Sequence, residues 1–354
     1  MKSLKSILTG LTLLSILPAV TSCDDSFIFD GEGDCTPCVQ FVFRKHRHAP
    51  EQIPGRETDV FYSVVESVHL FVYDANTGEL VIDQADRTEN LKSAIDINEG
   101  DNPSRCYMPV DLAPGRYRIV AWCGLEDDDT NNAFRLAASS TRGDYSRCEV
   151  KLAGDNSPVH HAKYDDLYHG ATVVDVTIDS DSRQIIPIEL TKNNNDIAIW
   201  VQHATKTFNE GDYEVVYTDA NGTMHFDDNS MTSTSRLEYR PHSTSILTSN
   251  TEYNGAEMET GALVAHISTS RLMKANQNDA RLEVRARDGR TVFSIPFIKY
   301  VLKLQELTKD DQYYLDCEDT YNCSFYLTGE SGTWMPAQII INNWVVVPEQ
   351  NDDI

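Results

Sequence analysis

Eight cysteines carry most of the chemistry this chain could do: Cys23, Cys35, Cys38, Cys106, Cys123, Cys148, Cys317 and Cys323. Cys23 stands just after an apolar run, Ile7 to Val20, which Lys2 and Lys5 precede. Positive residues, a short apolar stretch, small residues and then a cysteine read as an exported precursor cut between Ser22 and Cys23. No A-x-A precedes the cysteine, and a polar acidic stretch follows it at once. Cleavage there frees a thiol and an amine. The thiol can take a diacylglyceryl group and the amine an acyl chain, and several chains anchor stably where one does not. Export would place the other cysteines in an oxidising compartment, where disulfides are expected. Cys317 with Cys323, Cys106 with Cys148, and Cys35 or Cys38 with Cys123 are candidate pairs, although spacing leaves the connectivity open. Cys35-x-x-Cys38 follows an acidic tail instead of a strand, so it is a poor redox motif. It also lacks a second C-x-x-C or H-x-H at zinc spacing.

Other constellations are weaker. Gly329-Glu-Ser-Gly-Thr333 misses the nucleophile elbow by one place. No Walker loop, G-x-G-x-x-G or H-E-x-x-H occurs. Asp74-x-Asn76-x-Gly78 touches the start of a calcium loop but lacks its third ligand and its closing glutamate, so a hairpin turn is the expectation. Glu126 to Asp129 is an oxygen-rich cluster that reads as a solvated loop. His46 and His48, among Arg44, Lys45 and Arg47, read as a solvated strand end; the alternative is a docking patch for an acidic partner. His160, His161 and His169 would need Asp165 or Asp166 beside them to hold a metal. Acidic residues are so abundant that a carboxylate dyad cannot be argued from their proximity. No cofactor and no enzymatic activity are implied.

These residues must be positioned by a chain of 354 residues with 30 Lys and Arg against 55 Asp and Glu, a formal charge of −25. Such a chain is repelled by phosphate backbones, which excludes nucleic acid as a partner. Losing residues 1–22 removes two lysines and no acid, leaving the rest more acidic still. Hydropathy punctuates as in an all-β protein. Short β-branched and aromatic runs alternate between turn residues at Val39–Phe43, Val68–Tyr73, Leu80–Ile82, Arg116–Trp122, Thr172–Ile178 and Gln184–Leu190. Tyr117, Ile119 and Ala121 fall on one face, Val120 and Trp122 on the other. Asp74 to Gly78 and Asp288-Gly289 predict hairpins, the second joining Arg281–Arg287 to Thr291–Phe297. Asn131–Ser139 and Gln305–Lys309 could each make a helical turn. Tyr213–Tyr217 followed by Thr218-Asp-Ala-Asn-Gly222 echoes Tyr73 to Gly78. QYYLD and SFYL read as two strands that Cys317 and Cys323 would cross-link. A polar break, Lys192-Asn-Asn-Asn-Asp196, suggests a boundary. The expected organisation is a signal peptide over 1–22, a lipidated tether over 23–38, and two tandem β-sandwiches over 39–193 and 194–354.

The segment from Cys23 to Cys35 resembles the mature N-terminus of the FimB-like fimbrillin-associated anchor lipoproteins of Bacteroidetes. So do Val65-x-x-Val68-x-Leu70-x-Val72-Tyr-Asp74, Leu112-Ala-Pro-Gly-x-Tyr117-x-x-Val120-Ala-Trp122-Cys-Gly124-Leu125, Leu167-Tyr-His-Gly170 and Ile341-Asn-x-Trp344. The resemblance covers residues 1 to about 347, in order. Cys38 and the Arg44–Arg47 run depart from the pattern. Asp24-Asp25 resembles the surface-export signal of such lipoproteins. The resemblance implies two transthyretin-like domains at the base of a surface fimbrium, held to the outer membrane by lipid on Cys23. It implies fimbrillin-type shaft subunits as partners, joined by β-strand complementation. Shaft relatives lose an N-terminal strand by proteolysis; an anchor that keeps it would end the polymer.

The C-terminal run Ile339-Ile340-Ile341 to Trp344-Val345-Val346, with its acidic tail, either completes the second domain or contacts the last shaft subunit. A carbohydrate-binding or adhesin-type surface lipoprotein is the alternative. It would require exposed tryptophans, whereas Trp122 and Trp200 lie within strands and read as core.

Overall fold

The structure is a computed structural model that describes residues 37–42, 61–91, 106–125, 133–137, 140–152, 158–177, 183–203, 207–233, 235–253, 255–304, 310–329 and 335–346. These residues form five β-sheets with a few short helices, so the all-β expectation holds.

The central sheet runs, in spatial order, Thr191–Lys192, Tyr168–Val176, Gly115–Cys123, Ser67–Asp74 and Leu80–Arg87. Val68–Tyr73 and Ile119–Cys123 are buried because both faces are covered there, whereas Ala171–Asp175 is exposed or half-buried. Period two divides them. Leu70, Val72, Ile119, Ala121 and Cys123 enter a small core, whereas Phe71, Tyr73, Val120 and Trp122 enter a large one. The split of Tyr117–Trp122 is the one its alternation predicts.

A small sheet closes the small core. Cys38–Val42 is its middle strand, parallel to Ile185–Glu189 and antiparallel to Cys106–Pro109. Val39 and Phe41 are fully buried there.

The large core is shared by three further sheets. The C-terminal sheet has the order Ser243–Tyr253, Ala256–Ser270, Asn194–His203, Thr320–Thr328, Met335–Ile341 and Trp344–Val346. A back sheet has the order Thr291–Ile295, Arg281–Ala286, Tyr213–Asp219, Leu237–Tyr239 and Val159–His160. A bridging sheet pairs Phe134–Leu136 with Glu149–Leu152, and the latter with Thr223–His225. The back and bridging sheets each take strands from both sides of residue 193.

Both expected hairpins form. Asp74 Oδ1 accepts from the amides of Asn76 at 2.7 Å and Thr77 at 2.9 Å. These bonds hold its carboxyl below the ordinary range, and they show a turn device in the place of a calcium loop.

Four local expectations are corrected. Phe134–Leu136, within the expected helical segment, is a strand. QYYLD lies in a helix, Asp311–Cys317, because Asp310 caps it by accepting from Gln312 and Tyr313 amides. Residues 339–347 are not one strand: Asn342 and Asn343 take φ of 48° and 69° and reverse the chain. The second Asp-Ala-Asn-Gly does not turn a hairpin, since Thr223–His225 pairs with Glu149–Leu152 and not with Tyr213–Asp219. Its Asp219 and Asn221 are buried instead, bonded to Tyr217, Asn276, Tyr239 and the Ser270 carbonyl.

Candidate functional site

The C-terminal hairpin forms the rim of its sheet. Two successive residues at positive φ make a two-residue turn of the type that matches strand twist, and Asn tolerates this better than other side chains. Asn342 also locks the turn to the neighbouring strand: its Oδ1 accepts from the Asn322 amide at 2.8 Å, and its own amide donates to the Asn322 carbonyl at 2.8 Å. Ile339, Ile341 and Val346 enter the large core. Met335–Ile341 is paired on both sides, by Thr320–Thr328 and Trp344–Val346. Of the hairpin's two strands the last is the edge strand, and its Trp344 and Val345 are 68% and 58% exposed. Ile341 and Trp344 flank the turn as a hydrogen-bonded pair. Ile340 and Val345 are then the non-bonded pair, so the Val345 amide faces the sheet edge.

At the other end, the Cys38–Val42 strand is held on both sides by its own chain. Ser22, Cys23 and Cys35 lie outside the described residues, as do His46, His48, Trp334 and the Glu126–Asp129 cluster.

Among the described cysteines, no disulfide forms between Cys38, Cys106, Cys123, Cys148, Cys317 and Cys323. Cys106 and Cys148 belong to different cores on opposite faces of the central sheet, so that expected pair is not brought together. Cys317 ends a helix and is half-buried, whereas Cys323 points into the large core. They therefore do not face each other across a hairpin, as two strands would have placed them. Cys106 and Cys123 share the small core, a juxtaposition that spacing did not single out. Burial, with Cys106 nearby, pushes the Cys123 thiol well up.

The histidine expectations resolve as structure. Asp166 is engaged by Lys192 at 2.7 Å and by the Tyr168 hydroxyl at 3.1 Å. His169 packs on Trp122 with ring centroids 4.5 Å apart. Burial, with Arg271 nearby, pushes its pKa down to about 3, which leaves it neutral. His225, Asp227 and Asp228 bring ligand atoms within 4.8 Å of one another, a grouping the sequence reading missed. However, Arg118 Nη1 already donates to Asp227 at 2.6 Å, and Ser230 donates to Asp228.

The polar break is the largest surprise. Lys192, Asn193, Asn194 and Asn195 are buried, not solvated. Asn194 Oδ1 accepts from the Leu167 amide at 3.0 Å. Asn195 donates to the Glu318 carbonyl at 2.9 Å and accepts from the Leu272 amide at 3.1 Å. Asn193 Oδ1 accepts from Asn229 at 2.6 Å. Lys192 Nζ lies 3.2 Å from Asp319. Nearby, Arg271 forks onto Asp316 through bonds of 2.8 and 2.7 Å. Four consecutive polar residues look like a linker in sequence, yet here Asn194 and Asn195 satisfy backbone groups at the junction of sheets, while Asn193 bonds the Asn229 side chain.

The quoted motifs map onto this framework. Trp122 donates from Nε1 to the Phe226 carbonyl at 3.0 Å, joining the first half of the chain to the second. Gly124 has φ +88° and comes so near the Asp166 carbonyl that an added Cβ would sit 2.2 Å from it. Gly170 approaches Glu189 in the same way, at 2.5 Å.

Residues 32–349 match the family described as fimbrillin-A associated anchor proteins Mfa1 and Mfa2. A candidate adhesin from Bacteroides thetaiotaomicron has a similar structure, with 25% identity, a TM-score of 0.70, and coverage of 88% of this chain and 98% of its own. A candidate polysaccharide-binding protein from the same organism gives 24%, 0.67, 90% and 100%. The fimbrial anchor protein Mfa2 of Porphyromonas gingivalis gives 16%, 0.54, 88% and 99%. At those identities the last two show a shared fold alone. No curated protein matches in sequence. With nearly its whole length matched in one family and the quoted motifs at the joints of its sheets, the chain belongs to the fimbrillin-associated anchor proteins.

Proposed function

We propose that the protein is an outer-membrane lipoprotein that anchors a surface fimbrium and ends its assembly, a structural and non-enzymatic role. The observation that carries the reading is family membership over residues 32–349. Lipid on Cys23 holds the base, and residues 24–37 tether the body. That stretch spans roughly 50 Å at full extension, enough to lift an acidic body off an anionic lipid surface. The tether leads into Cys38–Val42, which is paired on both sides and buried over residues 38–41. A subunit that keeps its first strand offers no groove there, which suits the end of a polymer.

The shaft subunit is met by β-augmentation on the C-terminal edge. Donation of the Met335–Ile341 strand would empty Ile339 and Ile341 from the core, so contact along Trp344–Val346 is favoured. The test is binding of a purified fimbrillin-type shaft subunit to the anchor and its Val345→Pro variant. Proline at this position removes an edge-facing donor and no ladder bond. The variant should keep its melting temperature within a few degrees and lose about tenfold in affinity, the loss expected from removing one interfacial hydrogen bond and blocking strand addition. Unchanged affinity would remove this edge from the assembly interface.

A further inference from the structure

The outer face of the C-terminal sheet carries a feature that anchoring does not use. Register places Trp200 between Val264 and Ser324 in one row, and Gln202 between Ala262 and Tyr326 in the next. Leu247 lies beyond Ala262 in that second row. Ala262 is small, so a trough runs between Leu247 and the row of Gln202. The resulting groove has a volume of about 610 Å³. Trp200, Tyr326 and Leu247 are 39%, 38% and 45% exposed. Gln202, Thr248 and Thr260 also line it. No Asp, Glu, Lys or Arg is among the described residues of the lining, although the chain has 85 such residues.

Two facts define a ligand. Trp200 and Tyr326 are diagonal neighbours on adjacent strands, and both are part-exposed on the same face of the sheet. The polar groups around them are amides, hydroxyls and the buried imidazole of His203, whose Nε2 lies 3.1 Å from the Gly329 carbonyl. On a protein this acidic, an uncharged lining neither attracts a cation nor pairs with an anion. A sugar ring offers what the groove accepts: an apolar C–H face for an aromatic ring, and a rim of hydroxyls for Gln and Thr. We infer that this groove binds a neutral oligosaccharide, which would give the anchor a second, adhesive role. Trp122 cannot serve, because it is fully buried, and Trp344 points from the opposite face of the sheet, in register with the core residue Ile341.

The test is titration of the full mature chain with maltohexaose, cellohexaose, mannohexaose and xylohexaose, followed by calorimetry and tryptophan fluorescence. Hexagalacturonate serves as the charged control. At least one neutral probe should bind and shift the fluorescence. Trp200→Ala should weaken it at least about tenfold, and Tyr326→Ala several-fold, as expected for removing a stacking ring. Trp344→Ala should leave it within about twofold, since that ring is off the groove. Trp200 is partly solvated, so the variant should fold, and an unchanged circular dichroism spectrum and melting temperature confirm that. Failure of every neutral probe overturns the inference, as does equal binding of hexagalacturonate or indifference to Trp200→Ala. Loss of shaft-subunit binding in Trp200→Ala, without any sugar binding in the wild type, would make this face a protein interface and also overturn it. Fimbrial anchoring is read separately, by Cys23 and Val345 variants, so either reading can fail alone.

Discussion

Arg271 and Asp316 are both nearly out of solvent, and the guanidinium also donates to the Asn229 carbonyl at 3.0 Å. Asp316→Ala would leave a buried cation without its partner, at a cost of about 3–5 kcal/mol; urea unfolding reads this directly. Asp219 works in the opposite sense. Burial outweighs the bonds from Tyr217, Ala220 and Asn276, and its pKa is pushed up to about 6 from 3.8. A carboxyl with a raised folded pKa stabilises the fold most when protonated, below about pH 4. That contribution is lost as pH rises through about 6, about 2–3 kcal/mol in all. Stability of the wild type relative to Asp219→Asn should therefore fall between pH 4 and pH 7. A flat difference would show that Asp219 titrates normally. Asp219 reads as a turn residue in sequence and Asp316 as part of a strand, because burial of a charge depends on contacts between distant segments, here 45 residues apart for the ion pair.

Elements with local causes were legible. The strands at Ser67–Asp74, Gly115–Cys123 and Arg281–Ala286 follow from alternation and from turns whose residues are adjacent. What failed was decided elsewhere in the chain. Lys192 to Asn195 are as polar as any linker, and what makes them core is distant: backbone of Leu167, Leu272 and Glu318 for Asn194 and Asn195, and the side chains of Asp166, Asp319 and Asn229 for Lys192 and Asn193. The Asn342-Asn343 reversal was readable in principle, since two adjacent asparagines between β-branched runs favour a two-residue turn. Trp200 was assigned to the core because it lies within a strand, but a strand has two faces and its outer one is solvated. Two measurements test this level. Asn195→Ala should cost about 1–3 kcal/mol, because it strands a buried amide and a carbonyl. Gly124→Ala should cost more than a helix or loop glycine change does, since it adds both a positive-φ strain and a backbone collision; a loss below about 1 kcal/mol would mean the chain relaxes there.

The large core collects Trp122 and Phe71 from the first half with Phe226, Ile199 and Phe325 from the second. Two sheets draw strands from both halves. The whole molecule should therefore unfold in a single calorimetric transition, and two separated transitions would show that the halves are independent. The central sheet, with the small core on one face and the large core on the other, links the N-terminal strand to the C-terminal hairpin. Lipid attachment is tested most directly by cell fractionation of Cys23→Ala against wild type. The variant should leave the outer membrane for the soluble fraction, and fimbriae should be shed into the medium. Retention of the variant in the outer membrane at the wild-type level would contradict it.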